Sequence, residues 1–168
     1  PLTVTYPEPA MAAVTPANSR PTTSSAGPTG PPPWAVRLVD GDAERLASGV
    51  DLHRSCHGRL SLASVTVDGA VSLSAEAFRM ATVDAYQRLN AALEDEPAHH
   101  LVRVWNFIPG ILEPLDDLPQ RYMAFNAGRF EAYSAWYRGD GAFERRIATA
   151  SGVGHDGRDL EIHALAAA

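Results

Sequence analysis

The chain of 168 residues contains no lysine, a single cysteine and no apolar run of bilayer length. All fourteen basic residues are arginines, so chemistry that needs a lysine amine, such as Schiff-base formation or a P-loop, is excluded. The one cysteine, Cys56, permits no disulfide within the chain. A membrane span needs about 20 consecutive apolar residues. These absences predict a cytoplasmic protein with no membrane partner.

The charge balance and the histidines exclude two further classes of partner. Acidic residues outnumber basic ones, 20 to 14, and no run of basic residues occurs, so nucleic-acid binding is not predicted. His53, Cys56 and His57 have a loosely metal-like spacing. A zinc site needs three or four converging ligands, and the sequence offers no second cluster. We therefore predict neither a metal nor an organic cofactor.

Proline is concentrated at the N-terminus. Nine of the thirteen prolines lie in the first 34 residues, where Glu8 and Arg20 are the only charged side chains. Such a composition is typical of disordered segments. We predict a disordered proline-rich arm over residues 1–33, as a linker or a docking arm for a partner, and one folded domain over residues 34–168.

Hydrophobic periodicity predicts an α+β domain. Alternating patterns predict strands over residues 34–39, 59–67, 70–73, 101–108, 146–153 and 160–165. A turn at Asp68-Gly69 predicts that the second and third strands form a hairpin. Helical spacing predicts a helix over residues 75–94 with Ser74 as its N-cap, and a second helix that Asp117 caps and Gly139 ends.

Two helices are enough to cover one face of such a mixed sheet. Strand alternation places Arg103, Trp105 and Phe107 together on one face of the strand over residues 101–108. No further helix is predicted to cover that aromatic and charged face. We therefore expect oligomerisation through it.

Three stretches of the chain resemble the first half of the chorismatase family. They are VRVWNFIPGI (Val102–Ile111), RYMAFNAGRFEAY (Arg121–Tyr133) and TASGVGHDGRDLEIHALA (Thr149–Ala166). Chorismatases hydrolyse or rearrange chorismate, and they consist of two tandem domains similar to the trimeric RidA/YjgF family. The resemblance implies a RidA/YjgF-like mixed sheet with two helices on one face. It also implies a homotrimer, or a mixed assembly with a partner chain.

The resemblance also implies catalytic residues near the C-terminus. RidA-like enzymes hydrolyse enamines and imines between subunits, with a glutamate in a sequence like VEIEAIA and an arginine on the preceding strand. Here LEIHALA (Leu160–Ala166) places Glu161 at that glutamate, and Arg146 stands at the matching interval to hold a substrate carboxylate. His163 shares the strand face of Glu161 and is a candidate to assist proton transfer. A structural ion pair between Arg146 and Glu161 is the alternative.

Four further residues are candidates for substrate binding. Arg129 is a second candidate to hold a carboxylate, and Tyr122 lies seven residues earlier on the same helix face. Arg103 and Trp105 are candidates for a cleft wall, where the indole would stack on a planar substrate. The structural alternatives are a surface ion pair for Arg129, a core position for Tyr122, and interface packing of Arg103 on Trp105.

The expected function is therefore chorismatase-like. The substrate is expected to be a small carboxylic acid of secondary metabolism, either chorismate or a related unsaturated acid. Proton transfer or hydrolysis would take place in a cleft between subunits. Two alternatives stay open: a non-catalytic accessory or scaffold subunit of a biosynthetic assembly, and a RidA-like hydrolase of enamines or imines.

Overall fold

The computed structural model describes residues 30–55, 57–137 and 147–168. Within these ranges the strands are β1 (Ala43–Arg45), β2 (Val50–Arg54), β3 (Leu60–Val67), β4 (His100–Pro109), β5 (Thr149–His155) and β6 (Leu160–Ala167). The helices are α1 (Pro33–Val39), α2 (Ala75–Glu94) and α3 (Arg121–Trp136). None of these helices is long and apolar enough to cross a membrane. The predicted residues Cys56, Gly139 and Arg146, and most of the predicted arm, lie outside the described ranges.

The six strands form one mixed sheet in the order β1-β2-β3-β6-β4-β5. Strand β5 runs parallel to β4, and the other neighbours are antiparallel. Strand β6 therefore lies between β3 and β4, although the turn that precedes it leads directly from β5. This arrangement brings the predicted catalytic segment into the centre of the sheet.

Helices α2 and α3 cover one face of the sheet, as the two-helix prediction requires. Ser74 caps α2, and its hydroxyl accepts a hydrogen bond from the N–H of Ala77 at 3.3 Å. Helix α3 begins at Arg121, so the prediction that Asp117 caps it is wrong, and Gln120 is the N-cap. The core between helices and sheet includes Val65, Phe78, Leu89, Val104, Phe125 and Ile162.

The two long helices approach closely at Gly128 of α3. A Cβ atom at this position would lie 2.5 Å from the carbonyl oxygen of Arg79 and 2.9 Å from the Cβ of Thr82, both on α2. Because one of these atoms belongs to the backbone of α2, the helices could not accept a side chain here without moving apart. Glycine at this position therefore sets the distance between the two helices.

The predicted hairpin after β3 does not form. Residues Ala70–Ser72 make one 3-10 turn instead of a strand. The N–H of Gly69 donates to Asp159 at 2.7 Å, and the N–H of Val71 donates to the carbonyl of Arg158 at 2.8 Å. The buried guanidinium of Arg121 donates to the carbonyls of Ala70 and Val71, at 3.4 and 3.1 Å. These contacts with distant segments decide the conformation, which the local pattern could not show.

A short helix replaces the first predicted strand. The six-residue alternation over 34–39 is also compatible with helix, because Ala35 and Val39 are four residues apart and both are buried. Pro33 lies in the first turn, where its fixed φ angle favours helix initiation. Strands β1 and β2 begin in the stretch over residues 40–50, where the sequence pattern predicts no strand.

Helix α1 covers part of the second face of the sheet, so the expectation that no helix covers this face is wrong. Trp105 is only 8% exposed and packs with Ala35 and Val39 of α1. The ring of Trp34 meets it edge to face, with 5.1 Å between the ring centres. The predicted grouping of Trp105 with Phe107 on one face is confirmed. Oligomerisation stays a prediction, and an exposed Trp105 no longer supports it.

Candidate functional site

A cavity of about 340 Å³ lies on the sheet face opposite α2 and α3. Its walls come from β2, β3 and β6, from the turn that precedes β6, and from the chain just before α1. The lining residues are Gly30, Pro31, Asp51, Ser64, Thr66, His155, Gly157, Arg158, Asp159, Glu161 and His163. Both predicted catalytic residues, Glu161 and His163, are among them.

Strand alternation in β6 turns these two side chains into the cavity. Leu160 and Ile162 pack into the core beneath α2 and α3, so Glu161 and His163 point to the opposite face. Glu161 is only 7% exposed. Burial of a carboxylate is costly unless hydrogen bonds compensate it. One of its oxygens, Oε2, accepts a hydrogen bond from the N–H of Gly30 at 3.0 Å.

The imidazole of His163 lies between a hydroxyl and this carboxylate. Its Nδ1 is 2.9 Å from the Oγ of Ser64, and its Nε2 is 3.5 Å from the Oε2 of Glu161. The ring of Phe107 contacts it edge to face, with the ring centres 5.6 Å apart. Nε2 is fully buried and has no hydrogen-bond partner within the described residues. A histidine beside a carboxylate at this distance is suited to holding and transferring a proton.

Arg103 and Trp105 lie on the same sheet face as Glu161 and His163. Trp105 is paired in register with His163, but α1 covers it and it does not line the cavity. Arg103 donates to the Oγ of Ser151 at 3.0 Å, and its guanidinium lies 6.0 Å from the centre of the Trp105 ring. These are contacts within one chain, and a role for the pair in a cleft wall or in an interface between subunits stays a prediction.

Arg129 and Tyr122 lie on α3, across the sheet from Glu161. Arg129 lines a separate cavity of about 240 Å³, together with Tyr133, and its guanidinium is 5.9 Å from the ring centre of Phe125. Tyr122 is half-buried and packs against the core. Burial raises the pKa of Tyr133 to about 12, Tyr137 adds to this effect, and Arg129 opposes it. Within one chain, the structure does not bring Arg129 and Tyr122 to Glu161.

Sequence reasoning missed several residues of the cavity. Ser64 and Thr66 alternate with apolar residues along β3, and this alternation could have placed them on the face of Glu161. The sequence offers no such pattern for Arg158, because this residue lies in the turn between β5 and β6. The turn brings it to the cavity, where it is exposed and forms no ion pair within the described part of the chain.

Of the three residues with a loosely metal-like spacing, the described ranges contain His53 and His57. No group of three or more histidine, cysteine, aspartate or glutamate side chains that could hold a metal ion occurs among residues 30–55, 57–137 and 147–168. The Nδ1 of His53 instead lies 3.1 Å from the carbonyl oxygen of Gly41.

The fold and the cavity define an α+β domain in which Glu161 and His163 lie buried side by side on an inner strand of the sheet. The family model described as "Chorismatase FkbO/Hyg5-like, N-terminal" matches residues 41–166. The chain therefore belongs to this family of chorismatase N-terminal domains, which confirms the resemblance seen in the sequence.

One solved structure shows a related fold. A chorismatase determined at 1.08 Å is 22% identical with a TM-score of 0.61, and the match covers 74% of this chain and 34% of that one. The chain thus spans about a third of that chorismatase. A Salmonella typhimurium protein described provisionally as a translation initiation inhibitor is 15% identical with a TM-score of 0.46, over 75% of this chain and 96% of that one. No curated protein matches this sequence.

Proposed function

We propose that this chain has a chorismatase-type function, in which Glu161 and His163 transfer a proton to chorismate or to a related unsaturated carboxylic acid of secondary metabolism. The observation that carries the proposal is the contact between these two residues inside the cavity, with 3.5 Å between Nε2 and Oε2. Both side chains are buried, and a cavity of about 340 Å³ has room for a small acid.

The proposed reaction begins with protonation of the enolpyruvyl methylene carbon of the substrate. His163 and Glu161 together supply this proton, and the neighbouring ether carbon becomes electron-deficient. Water or a ring hydroxyl then adds to that carbon, and the proton that it loses returns to the pair. With water as the nucleophile, the hydroxyl of the adduct gives its proton to the pair and the bond to the ring oxygen breaks. That oxygen takes up a proton from the pair, and pyruvate and the ring alcohol are released. Each turnover leaves the acid-base pair in its starting state.

The substrate carboxylate needs a cationic partner, because a guanidinium holds it with two parallel hydrogen bonds. We propose Arg146 for this role, with Arg129 as a second. Since Arg129 lies across the sheet from Glu161, it reaches the same substrate only if another subunit contributes it. The proposal therefore includes a homotrimer of the RidA/YjgF kind, with the site in a cleft between subunits.

The test is turnover of chorismate by the purified full chain, with products identified by mass spectrometry. We expect pyruvate or a hydroxybenzoate as the product, and we expect E161Q to abolish product formation. The variant E94Q is the matched control, since Glu94 is exposed at the end of α2 and outside the cavity. Unchanged chorismate at high protein concentration, or equal rates for both variants, would contradict the proposal.

A second candidate function is an accessory subunit without catalytic activity. It is favoured by the separation of Arg129 from Glu161 within one chain. An accessory subunit would show no turnover of chorismate or of a simple imine, the substrate class of the RidA-like alternative. Native mass spectrometry would show which assembly the chain forms. For an accessory subunit, E161Q would either change that assembly or have no measurable effect.

A further inference from the structure

We propose that Ser64 is a positioning residue that fixes the proton of His163 on Nε2, between the imidazole and Glu161. This inference rests on the proposed function, because it assigns the orienting group of the proposed acid-base pair. It starts from the register of two neighbouring strands. Ser64 of β3 and His163 of β6 are directly paired, so their side chains lie side by side on the cavity face.

Burial makes the contact between them effective. Ser64 is 6% exposed and His163 is 1% exposed, so water competes little for either group. The distance of 2.9 Å between Oγ and Nδ1 is that of a good hydrogen bond. Phe107 packs against the ring from β4 and restricts its rotation. The imidazole is therefore held with Nδ1 towards the hydroxyl and Nε2 towards the carboxylate.

The carboxylate and the hydroxyl together decide which nitrogen carries the proton. A neutral imidazole protonated on Nδ1 would turn the lone pair of Nε2 towards the Oε2 of Glu161, and two lone pairs 3.5 Å apart repel each other. Protonation on Nε2 instead directs an N–H towards that oxygen. Nδ1 is then an acceptor, and the hydroxyl of Ser64 is its donor. The Nε2–H form is the one in which all three groups are complementary.

The hydroxyl is also compatible with the charged imidazole. When His163 takes up a second proton, Nδ1 becomes a donor, and the Oγ of Ser64 can accept from it after the hydroxyl rotates. Serine can therefore stabilise both states of a proton-transferring histidine, and alanine can stabilise neither. The other titratable or charged groups around the cavity are Asp51, His155, Arg158, Asp159 and Glu161.

The experiment measures the tautomer of His163 by heteronuclear NMR of the imidazole nitrogens in the full chain, with its signals assigned from an H163Q variant. We expect Nε2–H in the unmodified chain, a mixture of tautomers in S64A, and recovery of Nε2–H in S64T. S61A is the matched control, because Ser61 is equally buried on β3, three residues away and therefore on the opposite face. It should leave the tautomer unchanged.

Kinetics provide a second readout. S64A should lower kcat about tenfold with little change in KM, and should shift the pH profile, whereas S61A should do neither. The inference is overturned if the unmodified chain carries the proton on Nδ1, or if S64A retains Nε2–H in full. A change of tautomer in S64A without any chorismate turnover would support the role of Ser64 and reject the proposed substrate.

Discussion

Replacing Gly128 by alanine should destabilise the protein, although the same change in most helices is stabilising. Alanine has a higher helix propensity than glycine by about 1 kcal/mol. At this position, however, the added Cβ would lie 2.5 Å from the carbonyl oxygen of Arg79 and 2.9 Å from the Cβ of Thr82. Overpacking of this kind costs about 1–3 kcal/mol, and a backbone atom cannot rotate away. A contact of 2.5 Å with backbone falls in the upper part of that range, about 2–3 kcal/mol, and after the propensity gain is subtracted we expect G128A to lower the free energy of unfolding by about 1–2 kcal/mol.

Urea unfolding followed by tryptophan fluorescence measures this difference. The neighbouring variant A127G gives the propensity contribution alone, because Ala127 is exposed on the same helix. It should lose about 1 kcal/mol, the reverse of the gain expected for an unobstructed glycine-to-alanine change. If G128A is as stable as the unmodified protein or more stable, the helices do not meet at this position as closely as the structure shows.

Three further predictions concern buried or paired side chains. R121M should lower the free energy of unfolding by about 2–3 kcal/mol, because it removes the donor of two backbone carbonyls. R45M should cost less than about 0.5 kcal/mol, since Arg45 is exposed and pairs with Asp51 at the surface; equal effects in chemical denaturation would contradict this account. Tyr133 has a folded pKa of about 12, so between pH 10 and 12 the folded state keeps a phenolic proton that the unfolded chain loses. Stability should therefore fall across that range, and Y133F should fall less steeply; parallel curves would refute the assignment. E96Q should lower the stability by about 1 kcal/mol in a thermal melt at low salt, because it weakens the bidentate contact of Arg54 with Glu96. A loss of stability that 1 M salt leaves unaltered would argue against an ionic origin.

The elements that could be predicted from the sequence are those fixed by local signals. Helix α2 has a clear apolar period and a serine cap, and the structure begins and ends it at the predicted residues. Strands β3, β4 and β6 are also close to their predicted bounds. Helix α1 was not predictable from the six-residue pattern over 34–39, because the spacing of Ala35 and Val39 is compatible with both strand and helix. Their packing against the second face of the sheet decides for the helix.

The residues of the candidate site also differ in whether a local pattern predicts them. Glu161 and His163 could be placed together from strand alternation, and the structure puts both in one cavity. Ser64 reaches His163 across about a hundred residues of sequence, through a strand pairing that no local pattern shows. Arg129 was assigned to the same site from the sequence motif alone. The topology shows that the sheet lies between Arg129 and Glu161.

The central position of β6 has a consequence for how the chain folds. Its partners β3 and β4 are not hydrogen-bonded to each other, and pairs such as Leu60 with Ala167 join segments far apart in sequence. Folding rates fall as such distant contacts increase. During synthesis the sheet therefore stays in two separate pieces until residues 160–167 leave the ribosome. A nascent chain that is halted before Leu160 should accordingly be sensitive to proteases and bind chaperones.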